Sequence, residues 1–144
     1  MKRFAKSTSG VTLLEIMLVL AVAAMIIVMS IRYYQSANNN QQSNAFLQQV
    51  QGITATVESL AVGTGNYAGI TLASLTAMLP GGATALVAPW GGNLTYAPTA
   101  NGFTLTAGTP PSVPVCTLVT NQLKTNNHYT VAANCGTITY ITNP

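Results

Sequence analysis

Residues 11–31 read VTLLEIMLVLAVAAMIIVMSI, and Glu15 is the only charged side chain among these 21 residues. The ten residues before this run contain Lys2, Arg3 and Lys6. As a helix the run would rise roughly 32 Å, which is enough to cross the hydrocarbon core of a bilayer. A carboxylate at the centre of that hydrocarbon costs about 2.5–3.5 kcal/mol on insertion scales. Glu15 therefore needs a partner or a function.

Three interpretations of this N-terminal region compete. A secretory signal has an apolar region of about 7–15 residues followed by a small-residue cleavage site. Here the apolar run is longer, and the small residues Ala21–Ala24 lie inside it. A plain signal anchor accounts for the length of the run but leaves Glu15 without a role. The third interpretation rests on residues 10–15, which span the start of the apolar run.

The segment Gly10-Val11-Thr12-Leu13-Leu14-Glu15 resembles the processing site of type IV prepilins. The resemblance implies that a prepilin peptidase cuts after Gly10 and that the new amine of Val11 is methylated. It also implies that Glu15 is an assembly residue. In a staggered stack, the amine of Val11 in one copy approaches Glu15 of a neighbour. A buried ion pair of this kind can fix register even where it adds little stability.

The charge distribution separates the leader from the rest of the chain. The formal net charge of +3 equals the contribution of Lys2, Arg3 and Lys6, because Arg32 and Lys124 balance Glu15 and Glu58. Positive charge before an apolar span places residues 1–10 in the cytoplasm and residues after about 32 outside. The chain has no cluster of Lys and Arg, so we expect no direct nucleic-acid binding by charge. A net charge near zero instead promotes self-association.

Residues that carry common enzyme chemistry are scarce. Glu15 and Glu58 are the only carboxylates, His128 is the only histidine, and there is no aspartate. This set cannot supply a glycosidase carboxylate pair, a zinc-binding histidine cluster or a Ser-His-Asp triad. We therefore expect a protein that is not an enzyme and that has neither a cofactor nor a metal. His128 is expected to be a surface residue.

A long helix is predicted from about 12 to 61, because no Gly or Pro lies between Val11 and Gln51. Its second half is amphipathic and should pack one face against a globular domain. The apolar residues at helical spacing are Phe46, Val50, Ile53, Val57, Leu60 and Ala61. The poor helix formers Asn38–Asn40 leave two interpretations open. They form either a point where the helix loosens or an exposed polar turn of an intact helix.

From Gly63 onward the composition indicates short strands, turns and short helices. The predicted fold class is α+β, with the long helix packed on a small antiparallel sheet, which agrees with the type IV pilin fold that the resemblance implies. Short helices are expected at 70–79 and 113–124, the second with Ser112 as N-cap and Pro114 in its first turn. The strands are expected at 93–97, 102–107, 129–132 and 137–142, with the turn of the first hairpin at 98–101.

Cys116 and Cys135 are predicted to form a disulfide, because the apolar segment implies export to an oxidising compartment. A closed loop of about 20 residues would add about 3 kcal/mol in the chain-entropy model. Trp90 has two interpretations, a surface contact or a core residue at a tight turn, and we favour the core. The span 67–90 resembles the short-helix region of type IVb and conjugative thin pilins. The Cys116–Cys135 segment resembles the disulfide-bounded C-terminal region of pilins.

The predicted organisation has four parts. These are a leader at 1–10, a transmembrane and filament-core half-helix at 11–31, an amphipathic half-helix at 32–61 and a globular domain at 62–144. The resemblance implies a structural subunit that is stored in the bacterial inner membrane and then polymerised with other copies of itself into a surface pilus. Its partners would be the prepilin peptidase and the pilus assembly machinery. The pilus would serve adhesion, aggregation, motility, conjugation or DNA uptake.

The pilin subtype and two other functional classes stay open. The short leader and the first residue Val11 leave the subtype unassigned. Arg32 stands where the family often has a helix-breaking proline, which leaves open where the helix melts in a filament. A minor pilin or a type II secretion pseudopilin is one alternative. Residues after Glu58 include no acidic side chain, which counts against a calcium-binding pseudopilin. A membrane-anchored periplasmic binding domain or enzyme is the other alternative, and it would keep residues 1–10.

Overall fold

The protein, described here as a computed structural model over residues 11–143, has three α-helices and four strands in this range. The helices are α1 (Leu13–Thr64), α2 (Leu72–Met78) and α3 (Val113–Leu123). The strands are β1 (Leu94–Thr99), β2 (Gly102–Ala107), β3 (Tyr129–Val131) and β4 (Thr137–Ile141). The chain divides into two compact units with a boundary between Ala37 and Asn38, and each is described by itself.

Helix α1 confirms the prediction of one long helix and corrects its C-terminal end. It is 52 residues long and ends at Thr64, three residues beyond the predicted end. The stop is Gly65, whose φ of 77° lies in the left-handed region and whose N–H donates to the carbonyl of Ala61 at 2.8 Å. Asn38–Asn40 are helical, as the interpretation of a polar turn of intact helix expects.

The four strands form one antiparallel sheet in the order β1-β2-β4-β3. The first hairpin is longer than predicted, because β1 continues through Pro98 to Thr99 and pairs Thr99 with Gly102. Proline is tolerated there because β1 is an edge strand, so Pro98 needs no ladder donor. Glycine is required at position 102, since a Cβ atom would overlap the backbone carbonyl of Tyr140 on β4. The turn therefore contains only Ala100 and Asn101.

The hydrophobic core of residues 38–143 lies between α1 and one face of the sheet. The predicted helix face is confirmed, with Leu47 as an additional buried residue and Leu60 only partly buried. The sheet contributes an aromatic row, in which the ring centroids of Phe103 and Tyr140 are 5.3 Å apart. Helix α3 adds Val115, Val119 and Leu123. The α+β class is thus confirmed.

The short elements agree with the sequence in type and differ at their ends. Helix α2 begins at Leu72, two residues late, because Thr71 is its N-cap and accepts a hydrogen bond from the Ser74 N–H at 3.2 Å. Ser112 occupies the N-cap position of α3 as predicted, but its side chain makes no capping hydrogen bond. Strands β3 and β4 each end one residue before their predicted ends, while β1 begins one residue late.

Trp90 is partly buried against the core, as the favoured interpretation predicted. Its ring centroid lies 4.6 Å from that of Phe46, and its indole N–H donates to the carbonyl of Thr109 at 2.8 Å. The tight turn follows at Gly91 and Gly92, with φ of 92° and 90°. Trp90 therefore contacts both α1 and the loop after β2.

Candidate assembly site

The apolar N-terminal segment of α1 has no covering element in its own compact unit. The most apolar 18-residue window of the helix has a mean hydropathy of 2.7, and none of it is buried. Length and composition make α1 the one helix among the described residues that is able to cross a membrane. Its large apolar side chains from Val11 to Ile31 are all at least half exposed. An exposed apolar surface of this extent marks a site of interaction with a membrane or with protein.

The start of α1 explains part of the role of Glu15. The hydroxyl oxygen of Thr12 accepts a hydrogen bond from the backbone N–H of Glu15 at 3.3 Å. This is one half of a capping box, in which Thr12 is followed three residues later by Glu15. A carboxylate in the first helical turn also interacts favourably with the positive end of the helix dipole. The capping-box pattern is visible in the sequence as Thr12-Leu13-Leu14-Glu15.

The Glu15 carboxylate is exposed and surrounded by apolar neighbours on its own helix. Val11, Glu15 and Val19 are four residues apart, so they lie along one face. Within residues 11–143 the carboxylate makes neither an ion pair nor a hydrogen bond. The hydrogen bond to Thr12 is made by the backbone N–H of Glu15 and not by its side chain. Val11 is 66% exposed. The predicted cleavage residue Gly10 lies outside the described residues.

Polar and aromatic residues follow the apolar segment directly. Arg32, Tyr33 and Tyr34 are exposed, the two tyrosines by 79% and 73%. Tyrosine rings at the end of an apolar span are typical of the membrane–water interface, where the ring is partly buried and the hydroxyl stays hydrated. The segment therefore has the length, the apolar surface and one polar boundary of a membrane span.

A disulfide joins Cys116 on α3 to Cys135 in the turn before β4, with the Cα atoms 5.5 Å apart. The predicted pairing is therefore present. Cys135 is the only non-glycine residue among the described ones with positive φ, at 53°. Its backbone N–H donates to the carbonyl of Ala132 at 2.8 Å, which fixes the turn. The bond thus attaches α3 to the β3–β4 connection.

A polar cluster that was not predicted from the sequence lies between α1 and the inner face of the sheet. The hydroxyl of Tyr140 on β4 donates to the carboxylate of Glu58 on α1. The neighbouring hydroxyl of Tyr129 donates to the hydroxyl of Thr54 at 3.0 Å. Burial, followed by the hydrogen bond to Glu58, raises the pKa of Tyr140 well above its ordinary value. Burial also raises the pKa of Tyr129.

His128 is half-buried rather than a simple surface residue, which corrects the prediction. Its Nδ1 lies 2.7 Å from the carbonyl oxygen of Ile141. The backbone explains this placement, because the Ile141 N–H donates to the His128 carbonyl at 2.9 Å and extends the pairing of β3 with β4 by one residue. Histidine here bridges two strand ends. Among residues 11–143, no group of three or more His, Cys, Asp or Glu side chains is placed to hold a metal.

A groove with both polar and apolar lining residues lies beside the disulfide. It has a volume of about 440 Å³ and lies between α3 and the residues that follow β3. Its one charged lining residue is Lys124. The lining residues are Cys116, Thr117, Thr120, Asn121, Lys124, Val131, Ala132 and Ala133. This groove is the feature that a membrane-anchored binding domain would use.

The arrangement as a whole offers an exposed apolar helix with one carboxylate at its start, and a separate neutral α+β unit held by a disulfide. No protein-family model, no curated protein and no solved structure matches the chain.

Proposed function

We propose that this chain is the structural subunit of a type IV pilus-like fibre. The subunit is held in the bacterial inner membrane by residues 11–31, cut after Gly10 by a prepilin peptidase, and then polymerised through the first half of α1 into an extracellular fibre. The observation that carries the proposal is the position of Glu15, which lies in the first turn of an exposed apolar helix.

Membrane storage follows from the energetics of the apolar segment. Each large apolar side chain gains about 1.5–3 kcal/mol on leaving water, and more than a dozen are exposed between Val11 and Ile31. The positive leader keeps the start of the segment at the cytoplasmic face. Tyr33 and Tyr34 then lie at the opposite interface. The α+β unit is placed outside, where an oxidising environment supports the Cys116–Cys135 disulfide.

Polymerisation gives Glu15 an ionic partner. Removing residues 1–10 creates an amine at Val11 and removes Lys2, Arg3 and Lys6, which oppose extraction from the membrane. In a stack of staggered helices the Val11 amine of one copy meets the Glu15 carboxylate of another. Each group is costly in an apolar environment when alone, and the two compensate each other only at one register. The apolar surfaces of neighbouring helices then cover one another.

A minor pilin and a type II secretion pseudopilin would assemble through the same contacts; the first differs from a major subunit in its share of the fibre, and the second belongs to a secretion system. A membrane-anchored periplasmic binding domain is a different class, favoured by the groove beside Lys124. Such a protein keeps its leader and stays monomeric in the membrane. The two classes therefore differ at the N-terminus and in the assembled state.

Mass spectrometry of the purified chain tests the proposal. We expect a product that begins with methylated Val11, so its mass is lower by the mass of residues 1–10 and higher by the added methyl group. Electron microscopy of cells that overproduce the chain should show fibres that contain it, and a minor component would be present in only a small share of fibre mass. An intact Met1 on chains that stay in the membrane fraction would reject the pilus proposal and favour the anchored domain.

A further inference from the structure

The outer face of the four-stranded sheet, on the side away from α1, is composed almost entirely of threonine. We call it the threonine face. Strand alternation and the register place ten residues on it, and seven of them are threonine. The seven are Thr95, Thr99, Thr104, Thr106, Thr130, Thr137 and Thr139. The other three are Ala97, Gly102 and Ile141.

The residues of the threonine face are aligned in cross-strand rows. One row runs across all four strands as Ala97, Thr104, Thr139 and Thr130. A second row contains Thr95, Thr106 and Thr137. Four of the seven threonines are exposed and the other three are half-buried, so none of them is fully covered. The face therefore presents a regular array of methyl and hydroxyl groups to solvent.

The absence of charge on this face is unusual. Soluble proteins place Lys, Arg, Glu and Asp over about 25–35% of their surface, and they use charges in particular to prevent sheets from associating. The threonine face has none, and the one charged residue after Glu58 is Lys124, at the end of α3. Nothing on this face therefore repels an identical face.

The threonine side chain is also chemically self-complementary. Each hydroxyl both donates and accepts hydrogen bonds, while each methyl group offers apolar contact. The Thr95 hydroxyl donates to the Thr106 carbonyl of the neighbouring strand at 3.2 Å. Among the described residues, the other six threonine hydroxyls of this face make no such bond, so they depend on water or on a partner. A face that is identical in both partners forms a symmetric contact, in which every donor can meet an acceptor.

We propose that the threonine face is a self-association surface whose partner is the threonine face of a second copy of this chain. Its area sets the strength of a single contact. Four strands spaced by about 4.8 Å, with a rise of about 3.4 Å per residue, give roughly 300 Å² per copy. A stable interface needs about 800 Å² per partner, so one pair of faces does not form a lasting dimer. Many copies displayed together associate by avidity.

The proposal does not depend on fibre formation. If the chain forms a fibre, the threonine face joins neighbouring fibres side by side. If it stays in a membrane, the same face joins two membranes that display it. The second situation provides a test with the full chain, because the apolar segment of α1 inserts into lipid vesicles whether or not Glu15 ever pairs.

The test reconstitutes the full chain in phosphatidylcholine vesicles, which have no net charge, and follows their clustering by light scattering. Thr106→Lys places a charge on an exposed position of the central strand β2 without removing a side-chain hydrogen bond found among the described residues. We expect vesicles with this variant to cluster about tenfold less at low salt, because the repulsion acts at every one of the many contacts between two vesicles. High salt should restore part of it.

A matched control adds the same charge elsewhere. Gln122→Lys changes an exposed position on α3, away from the sheet face, and should cluster like the unmodified chain. Vesicles with Thr106→Lys mixed with vesicles with Thr106→Glu should cluster again, a recovery that misfolded variants would not show. The proposal is wrong if the unmodified vesicles stay dispersed, if Thr106→Lys and Gln122→Lys behave alike, or if the mixture does not recover.

Discussion

The Thr12 hydroxyl accepts a hydrogen bond from the backbone N–H of Glu15 at 3.3 Å, in the first turn of α1. Glu15 therefore has a local role in starting the helix in addition to the ionic role that we propose for its carboxylate. The two roles use different atoms, since the cap engages the backbone and assembly engages the side chain. Variants at these two positions can therefore separate them.

Glu15→Gln should leave processing after Gly10 intact and strongly reduce incorporation into fibres. Glutamine is acceptable at this position of a capping box, so the helix start is retained while the charge is lost. Glu15→Ala also removes the charge and keeps the backbone N–H that Thr12 caps, so it should assemble no better than Glu15→Gln. The measurement is the share of chain in the sheared fibre fraction relative to the membrane fraction.

Thr12→Ala is the matched control, because it removes only the cap at a cost of about 1 kcal/mol. That change should leave most of the assembly intact. The ionic role of Glu15 is wrong if Glu15→Gln assembles normally, and the capping role dominates if Thr12→Ala fails while Glu15→Gln assembles.

Tyr140→Phe should lower the free energy of unfolding by about 1–2 kcal/mol, because it leaves the half-buried Glu58 carboxylate without its donor. Thermal unfolding of the full chain in detergent micelles measures the change. A suitable control is Tyr33→Phe, which alters a tyrosine that is 79% exposed. Equal stability of the two variants would show that the Tyr140–Glu58 contact contributes nothing.

Stability should also fall in alkaline solution. Burial, together with the hydrogen bond to Glu58, raises the pKa of Tyr140 above its ordinary value of 10.0. The unfolded chain then loses this proton at a lower pH than the folded chain. Stability is full below about pH 10 and decreases as the pH rises above it. Thermal unfolding between pH 7 and alkaline conditions should show this decline, and Tyr140→Phe should show a shallower one.

Gln49→Ala should destabilise the α+β unit, whereas Gln48→Ala should not. The side-chain amide of Gln49 donates to the carbonyls of Ala85 and Val87, at 2.5 and 3.0 Å. Its removal leaves these carbonyls without that donor, at a cost of about 1–3 kcal/mol. Gln48 is exposed on the same helix and serves as the control. Denaturant unfolding in micelles should separate the two variants, and equal midpoints would contradict this role of Gln49.

Two glycine substitutions should act in opposite directions. Gly102→Ala introduces a Cβ atom into the space of the Tyr140 carbonyl, so β2 and β4 must separate and the sheet loses stability. Gly52→Ala is made in α1 with no atom within 4 Å of the new Cβ, and it should gain about 0.5–1 kcal/mol. Thermal unfolding measures both. A stabilised Gly102→Ala variant would contradict the close approach of β4.

Local features were predictable from the sequence, and contacts between distant residues were not. The absence of Gly and Pro after Val11 was enough to predict α1, and the Thr-rich segments were enough to predict four strands. The Glu58–Tyr140 contact joins residues 82 positions apart, so it depends on how the sheet packs on the helix. Pro98 was assigned to a turn because a turn signal outweighed the less common possibility of an edge strand.

In the candidate site, too, the local features were predictable from the sequence and the contacts between strands were not. Composition alone identified Glu15 as an isolated charge in an apolar run, and the number of cysteines indicated the pair Cys116 and Cys135. The alternation of threonine with apolar residues was visible in each strand. That these threonines form continuous rows depended on register, which is fixed by turn length and by buried side chains across the sheet.

The central claim is that the Glu15 carboxylate is paired with the Val11 amine of another copy. Solid-state NMR on fibres grown from a mixture of nitrogen-labelled and carbon-labelled copies measures this contact directly. We predict a cross-peak between the Val11 amine nitrogen and the Glu15 carboxylate carbon, which can arise only between copies in such a mixture. Fibres that form normally and show no such cross-peak would contradict the account.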